Sequence, residues 1–239
     1  RALLNEKIDI AVHSLKDVPT LLPKGINIKA VLSRGNPMDV LVYNPAFMGW
    51  ETEASIGTGS LRRKAQWLRK NPKHQVENLR GNLQKRIEKL NNSNWSGAIF
   101  AQAGLDRLNL LQDNYEVVEW MIPAPSQGII GIASLEKNKE LNAVLDKINC
   151  AETSLCAQIE RSFLNTLEGG CTAPIGAHAY CIENTLYFKG GLFSLDGTIA
   201  IVHEENTPLE NTKEYGVKAA QKILNEGGKE LMKQIKSQL

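Results

Sequence analysis

The residues best suited to chemistry stand at the ends of short apolar runs. Residues 8–12 run into His13-Ser14-Leu15-Lys16-Asp17-Val18-Pro19, which sets a hydroxyl, an ammonium and a carboxylate in one loop closed by proline. A carboxylate among cations at a strand end can stabilise a developing positive charge or shuttle a proton. The same loop also reads as an ordinary turn with a Lys–Asp pair. His13 has no visible partner and reads as structural.

A second group surrounds Ser55-Ile56-Gly57-Thr58-Gly59-Ser60-Leu61-Arg62-Arg63. A short strand enters a Gly/Ser/Thr turn and a helix follows at once. Free amides and the helix dipole at such a turn favour an anion. Two arginines in the first helical turn add forked donors for carboxylates. The third glycine of a dinucleotide fingerprint is missing. A capped helix with solvated arginines describes the segment equally well. Leu79-Arg80-Gly81-Asn82 repeats the strand-to-helix transition, with Arg86 one turn into the next helix, and Arg107 follows the apolar run 98–101. Singly, each of these arginines reads as a surface charge. Together they fall after strands expected to be parallel, whose ends share one sheet edge. That implies a ligand with several carboxylates or phosphates, since charge in a cleft requires its opposite.

A third feature is Cys171 in Leu167-Glu168-Gly169-Gly170-Cys171-Thr172-Ala173-Pro174-Ile175-Gly176. It follows a helix over 153–167 and is flanked by glycines, so a bulky group can reach it. A helix C-terminus disfavours a thiolate, so a nucleophilic Cys171 needs cations from elsewhere. Cys150, Cys156 and Cys181 read as structural, the first two as small apolar helix residues. No Cys-x-x-Cys spacing occurs and the four histidines are scattered, so a metal site has no support.

The elements that must hold these groups are α/β in pattern, with largely parallel sheets. Strands are expected at 8–13, 26–32, 40–43, 55–57, 75–79, 98–101 and 128–134, and helices at 61–70, 83–91, 138–148 and 153–167. Short strands follow around 177–181, 186–193 and 198–203, with turns at Gly190-Gly191 and Asp196-Gly197. A last helical stretch, 214–239, is interrupted at Gly227-Gly228. Three domains are expected: 1–35 with 127–147, then 37–124, then 151–239.

The 239 residues are 42% hydrophobic and 23% charged, an ordinary globular composition. A net charge of +2 argues for neither a nucleic-acid nor a membrane partner. The basic stretch from Arg62 to His74 fits the solvated face of an amphipathic helix better than a nucleic-acid site. No run reaches the ~18 apolar residues of a membrane span. Arg1 is not an initiator methionine, and a segment upstream is expected.

Five of these motifs, in this order, resemble the porphobilinogen deaminase family: the loop His13–Pro19, Gly57–Arg63, Leu79–Asn82, Gln127-Gly128, and Leu167–Ala177. The resemblance implies an α/β protein of three domains. The first two would be like two-lobed (type II periplasmic-binding-protein-like) anion-binding lobes, joined by a smaller α+β C-terminal domain. It implies a transferase that condenses four porphobilinogen molecules on a dipyrromethane cofactor, then releases hydroxymethylbilane by hydrolysis. Cys171 would carry that cofactor as a thioether. Asp17 would be the catalytic carboxylate. Lys16, Ser60, Arg62, Arg63, Arg80 and Gly128 would contact the cofactor, and Arg80, Arg86, Arg107 and Ser14 the substrate. A cytoplasmic monomer is expected. Two departures read as minor: Gly59 stands where the family often has serine, and Ser126 where glycine is frequent. The upstream segment of the family carries further contacts, and without it this chain is expected to be inactive or poorly folded. A two-lobed module that only clamps a polyanion would explain the arginines but leave Cys171 and Asp17 without a role. A cysteine-nucleophile transferase would want a base such as His178.

Overall fold

The computed structural model describes residues 1–111, 113–167 and 173–239. Cys171 and its immediate neighbours therefore lie outside the described residues.

Three sheets organise the mixed α/β chain. The first contains β1 (Ile10–Ser14), β2 (Ile26–Val31) and β8 (Ile130–Leu135), in the order β1-β8-β2, both pairings antiparallel. β8 is central although it arrives about a hundred residues after β2. Ile10 and Val12 on the edge strand β1 remain exposed.

Between β2 and β8 the chain builds a five-stranded sheet. Its members are β3 (Asp39–Tyr43), β4 (Ser55–Gly57), β5 (Gln75–Glu77), β6 (Gly97–Ala101) and β7 (Tyr115–Val117), ordered β5-β4-β6-β3-β7. Only the β4–β5 and β4–β6 pairings are parallel, whereas β3 runs antiparallel to β6 and β7. The expectation of largely parallel sheets is thus corrected. β3 enters directly from the preceding loop with no crossover helix, so it can pair antiparallel.

Helices α1 (Leu61–Lys70) and α2 (Leu83–Asn91) begin where a side-chain oxygen caps the first turn. Ser60 Oγ accepts from the Arg63 amide and Asn82 Oδ1 from the Lys85 amide. The short α3 (Gln102–Arg107) has no side-chain cap and starts straight from β6.

The third sheet is an antiparallel meander of β9 (Ile175–Ile182), β10 (Thr185–Phe193) and β11 (Ala200–Pro208). It packs on α5 (Ala151–Thr166) and α6 (Tyr215–Ile223) through Phe163, Phe188, Leu186 and Ile223. Gly190-Gly191, expected to be a turn, lies inside β10. A Cβ on Gly190 would stand 2.6 Å from the Phe163 ring and one on Gly191 would crowd Phe193, so these glycines make room for core aromatics. Asp196-Gly197 does turn, with Gly197 at φ +77°. The terminal helix breaks as expected: Gly227, at φ +105°, separates α6 from α7 (Lys229–Gln238). Helix α4 (Lys139–Asp146) covers β2.

Candidate functional site

The C-terminal ends of the mutually parallel β4, β5 and β6 share one edge, as the arginine pattern required. Arg62 and Arg63 follow β4, Arg80 follows β5, and Arg107 ends α3 after β6. The loop from β1 folds over toward this edge as a 3-10 turn, Leu15–Asp17, anchored by Leu15. The Leu15 amide donates to Ile129 O at 2.9 Å, and its side chain packs against Val31, Ile129 and Ala157. Asp17 is thereby left exposed, while the half-buried Lys16 turns toward the cluster, its Nζ reaching Gln127 Oε1 at 3.4 Å.

At the centre lies Asp39, an acid absent from the sequence expectations and 0% exposed. It accepts from Arg62 Nη1 at 2.7 Å, from Arg63 Nε at 2.9 Å and Nη2 at 2.8 Å, and from Gln127 Nε2 at 3.0 Å. Burial alone would raise the Asp39 carboxyl, but the two guanidinium charges and the hydrogen bonds hold it well below the usual carboxylate range. Arg62 also donates to Ile122 O and Arg63 to Ile99 O. Both arginines are buried, at 3% and 6% exposure. They are therefore interior charges partly neutralised by Asp39 rather than the solvated helix face of the alternative reading.

Two guanidiniums and one ammonium against a single buried acid leave the cluster cationic. Lys16 registers the excess. Burial and the Arg63 charge lower its pKa to about 8, and Asp17 and Asp39 only partly oppose them. Arg62 Nε is buried with no partner. A site with a desolvated ammonium and an unpartnered guanidinium nitrogen fits an anionic ligand, and the dipyrromethane carboxylates have that character.

Around this core the other candidates spread outward. Ser60 caps α1. Ser14 precedes the 3-10 turn and makes no capping bond through its side chain. Arg80 and Arg86 are tethered only at the rim, by Asn78 Oδ1 and Gly81 O, with Arg86 near enough to depress Arg63 by its charge. Arg107 Nη2 donates to Gly128 O at 2.8 Å. Gly128, at φ +86°, lies against the outgoing chain, where a Cβ would stand 2.7 Å from Gly35 O. Its requirement for glycine is therefore a close crossing of backbones.

Both departures from the family pattern have structural weight. Ser126 sits at φ +64°, in the left-handed region that favours glycine, and its Oγ is buried without a partner. A Cβ on Gly59 would meet Leu79 O at 2.6 Å.

A second buried acid went unnoticed in sequence. Glu160 on α5, 0% exposed, accepts from Arg34, from the Ser126 amide at 2.5 Å and from the Ala179 amide at 2.7 Å. It ties the 34–35 and 124–127 crossings to β9. The signal was available: Cys156, Ile159, Glu160 and Phe163 form one buried stripe, and an acid there must be paired. Asp39 gives the same signal at the head of Val40-Leu41-Val42.

Cys156 and Cys181 meet in the core with sulfurs 3.8 Å apart, and burial raises the Cys156 thiol. Cys150, expected inside a helix, is the N-cap of α5, and hydrogen bonds involving Thr153 lower its pKa. His178 is held down to about 4 by burial and the Arg34 charge, which makes it a poor base for any cysteine. Of two surface grooves, one lies beside Leu4, Gly25 and Lys137, and the other, between Trp120, Lys189 and Val202, is also lined by Ile122, whose carbonyl accepts from Arg62.

The chain matches two family models: the dipyrromethane cofactor-binding domain of porphobilinogen deaminase over residues 1–143, and the porphobilinogen deaminase C-terminal domain over 154–225. The porphobilinogen deaminase of Desulforamulus reducens is 39% identical over 240 residues, covering 99% of this chain and 78% of that protein. That of Carboxydothermus hydrogenoformans is 38% identical, covering 98% and 77%. Among solved structures, an amino acid ABC transporter substrate-binding protein from Streptococcus pneumoniae overlaps 62% of each chain at 15% identity. Its TM-score of 0.38 is too low to argue from. By its two domain matches and its identity to these relatives across nearly its whole length, the chain belongs to the porphobilinogen deaminase family.

Proposed function

We propose that this chain is a hydroxymethylbilane synthase. It condenses four porphobilinogen molecules, with loss of one ammonia at each addition, and releases the linear tetrapyrrole hydroxymethylbilane by hydrolysis. Family membership over 1–143 and 154–225 carries the reading, and the cationic cluster around Asp39 supports it.

Cys171 would hold a dipyrromethane as a thioether, and that group, when bound, would supply the primer on which the pyrrole chain is built. This chain's own residues do the rest. Asp17, exposed on its 3-10 turn, accepts pyrrole N–H groups and faces the positive charge that develops as ammonia leaves porphobilinogen. Lys16, Ser60, Arg62, Arg63 and Arg80 hold acetate and propionate groups of the cofactor. Arg80, Arg86, Arg107 and Ser14 receive those of the substrate. The grading from buried to rim arginines suits a chain that grows outward: the innermost charges are fixed once, and the rim remains open to successive carboxylates. Gly128 supports the site through the backbone crossing with Gly35.

The three sheets support a division into 1–35 with 127–147, 37–124, and 151–239, the first two as two lobes around the site. Small-molecule chemistry without a nucleic-acid partner fits the fate of the basic stretch. Arg62 and Arg63 are buried against Asp39, Arg69 donates to Gly197 and Thr198 carbonyls, and Lys70 lies 4.7 Å from the Trp120 ring centre. Among the described residues no helix is long and apolar enough to cross a membrane. Unpaired thiols at Cys150, Cys156 and Cys181 suit a cytoplasmic monomer.

The test is intact mass under denaturing conditions with peptide mapping. An added mass of two linked pyrrole units on Cys171, lost in Cys171→Ala, is expected. A folded, full-length protein whose Cys171 stays unmodified after incubation with porphobilinogen refutes the reading.

A further inference from the structure

Helix α5 presents one face to the segment that carries Asp17. Ala157 packs on Leu15. One turn later, Arg161 donates from Nη1 to Leu15 O at 3.3 Å and Val18 O at 2.9 Å, and from Nη2 to Pro19 O at 2.6 Å. One turn further, Asn165 Oδ1 accepts from Thr20 Oγ1 at 3.1 Å. Positions 157, 161 and 165 are spaced i, i+4, i+8, so a single ridge of the helix follows the turn from end to end.

The rest of the turn's support is thin. The backbone contributes Leu15 N to Ile129 O and Val18 N to Leu15 O, and Lys16 makes one long bond to Gln127. Asp17 is exposed, and among the described residues no side-chain hydrogen bond holds it. The orientation of its carboxylate therefore follows from where the backbone on either side of it is held. Three carbonyls flanking Lys16-Asp17 converge on the Arg161 guanidinium, whose planar fork suits such a grip. The neighbouring Glu160 fixes the same helix turn to β9 and the 124–127 crossing, so Arg161 reaches out from a rigid base. The helix then ends at Thr166, five residues before Cys171.

We propose that Arg161 is a positioning residue that holds the Asp17 turn in register with the helix leading to Cys171. The inference rests on Asp17 being the catalytic carboxylate. The acceptor carbonyls are partly open to water, which can replace the lost bonds, so Arg161→Ala is expected to fold.

Two readouts on Arg161→Ala and Arg161→Lys test the proposal, with the unaltered chain as reference. Hydrogen exchange of a peptide covering residues 14–20 is expected to rise about tenfold or more in Arg161→Ala, with β8 unchanged. Turnover of porphobilinogen is expected to fall about a hundredfold in kcat, the scale of a misplacement of roughly 1 Å, with KM nearly constant. Arg161→Lys, which keeps the charge but loses the fork, falls between. Unchanged exchange at 14–20 in folded Arg161→Ala overturns the proposal, and so does raised exchange with undiminished kcat. If the full-length protein with Arg161 intact turns over no porphobilinogen, the enzymatic reading has failed, and exchange alone decides whether Arg161 fixes the turn.

Discussion

Asp39→Asn exposes what the buried charge cluster contributes. The substitution keeps the shape and one acceptor oxygen but removes the charge, and it turns an amide N–H₂ toward donors. Four contacts now end on the carboxylate, three of them from Arg62 and Arg63. Breaking a buried ion pair from one side costs about 3–5 kcal/mol, because the remaining charge stays buried without a counter-ion. Here two guanidiniums are left, with Lys16 adding a third cation nearby, so the upper half of that range is expected. Set against a total of roughly 5–15 kcal/mol, that is about a quarter or more of the stability. All four tryptophans, Trp50, Trp67, Trp95 and Trp120, lie between 50 and 120, so urea unfolding followed by fluorescence reports on this part of the chain. With a slope of about 2 kcal/mol per molar, the midpoint should fall by about 2 M at pH 7. The pH dependence follows from the depressed carboxyl. A group whose folded pKa lies below its unfolded value stabilises fully above the unfolded value, about 3.8 for Asp39, and loses that contribution as pH falls further. The gap between the two proteins should be constant from pH 5 to 7 and narrow below about pH 4. A loss under about 1 kcal/mol at pH 7, far below the cost of breaking a buried ion pair, or a gap that stays constant in acid, refutes the reasoning.

Other expectations follow from single sites. Ser126→Gly should stabilise by about 1 kcal/mol, since it relieves a left-handed serine and removes a buried unpartnered hydroxyl, and a lowered urea midpoint would contradict this. Gly59→Ser, despite matching the family, should destabilise by about 1–3 kcal/mol because its Cβ meets the Leu79 carbonyl. Lys16→Met should be more stable than the unaltered chain at pH 7. The desolvated ammonium is a penalty present in full below about pH 8 and relieved as pH rises toward 10.5, so the advantage should shrink across that window. Thiol labelling of the folded chain should reach Cys150 before Cys156, whose burial disfavours the thiolate, and equal rates would show that the core opens.

The readable parts of the sequence were those with local physics. α1 and α2 matched residue for residue because a capping side chain and an amphipathic period agree. The convergence of Arg62, Arg63, Arg80 and Arg107 was legible because strand-to-helix transitions place side chains at one edge. Sheet direction was not, because β3 looks the same in sequence whether it pairs parallel or antiparallel. α3 and β7 escaped notice, being six and three residues long without cap or alternation. Asp39 and Glu160 were missed for a different reason. Each belongs to no motif, and its significance appears only when an apolar face is found to contain a charge. Arg161 was invisible altogether, since its partners are backbone carbonyls more than 140 residues away.

The central place of β8 also sets a timetable. During synthesis, the five strands of the inserted sheet are all available once residue 117 has emerged, and they can close on one another. β1 and β2 were made earlier, and the strand that pairs with both of them among the described residues, 130–135, appears only later. Closing that long loop is slow compared with local pairing. In the interval the edge of β1 that β8 will take, beside Ile10 and Val12, is open to other nascent strands. The turn bearing Lys16 and Asp17 lies between these two waiting strands, so it is among the last parts of the chain to take shape.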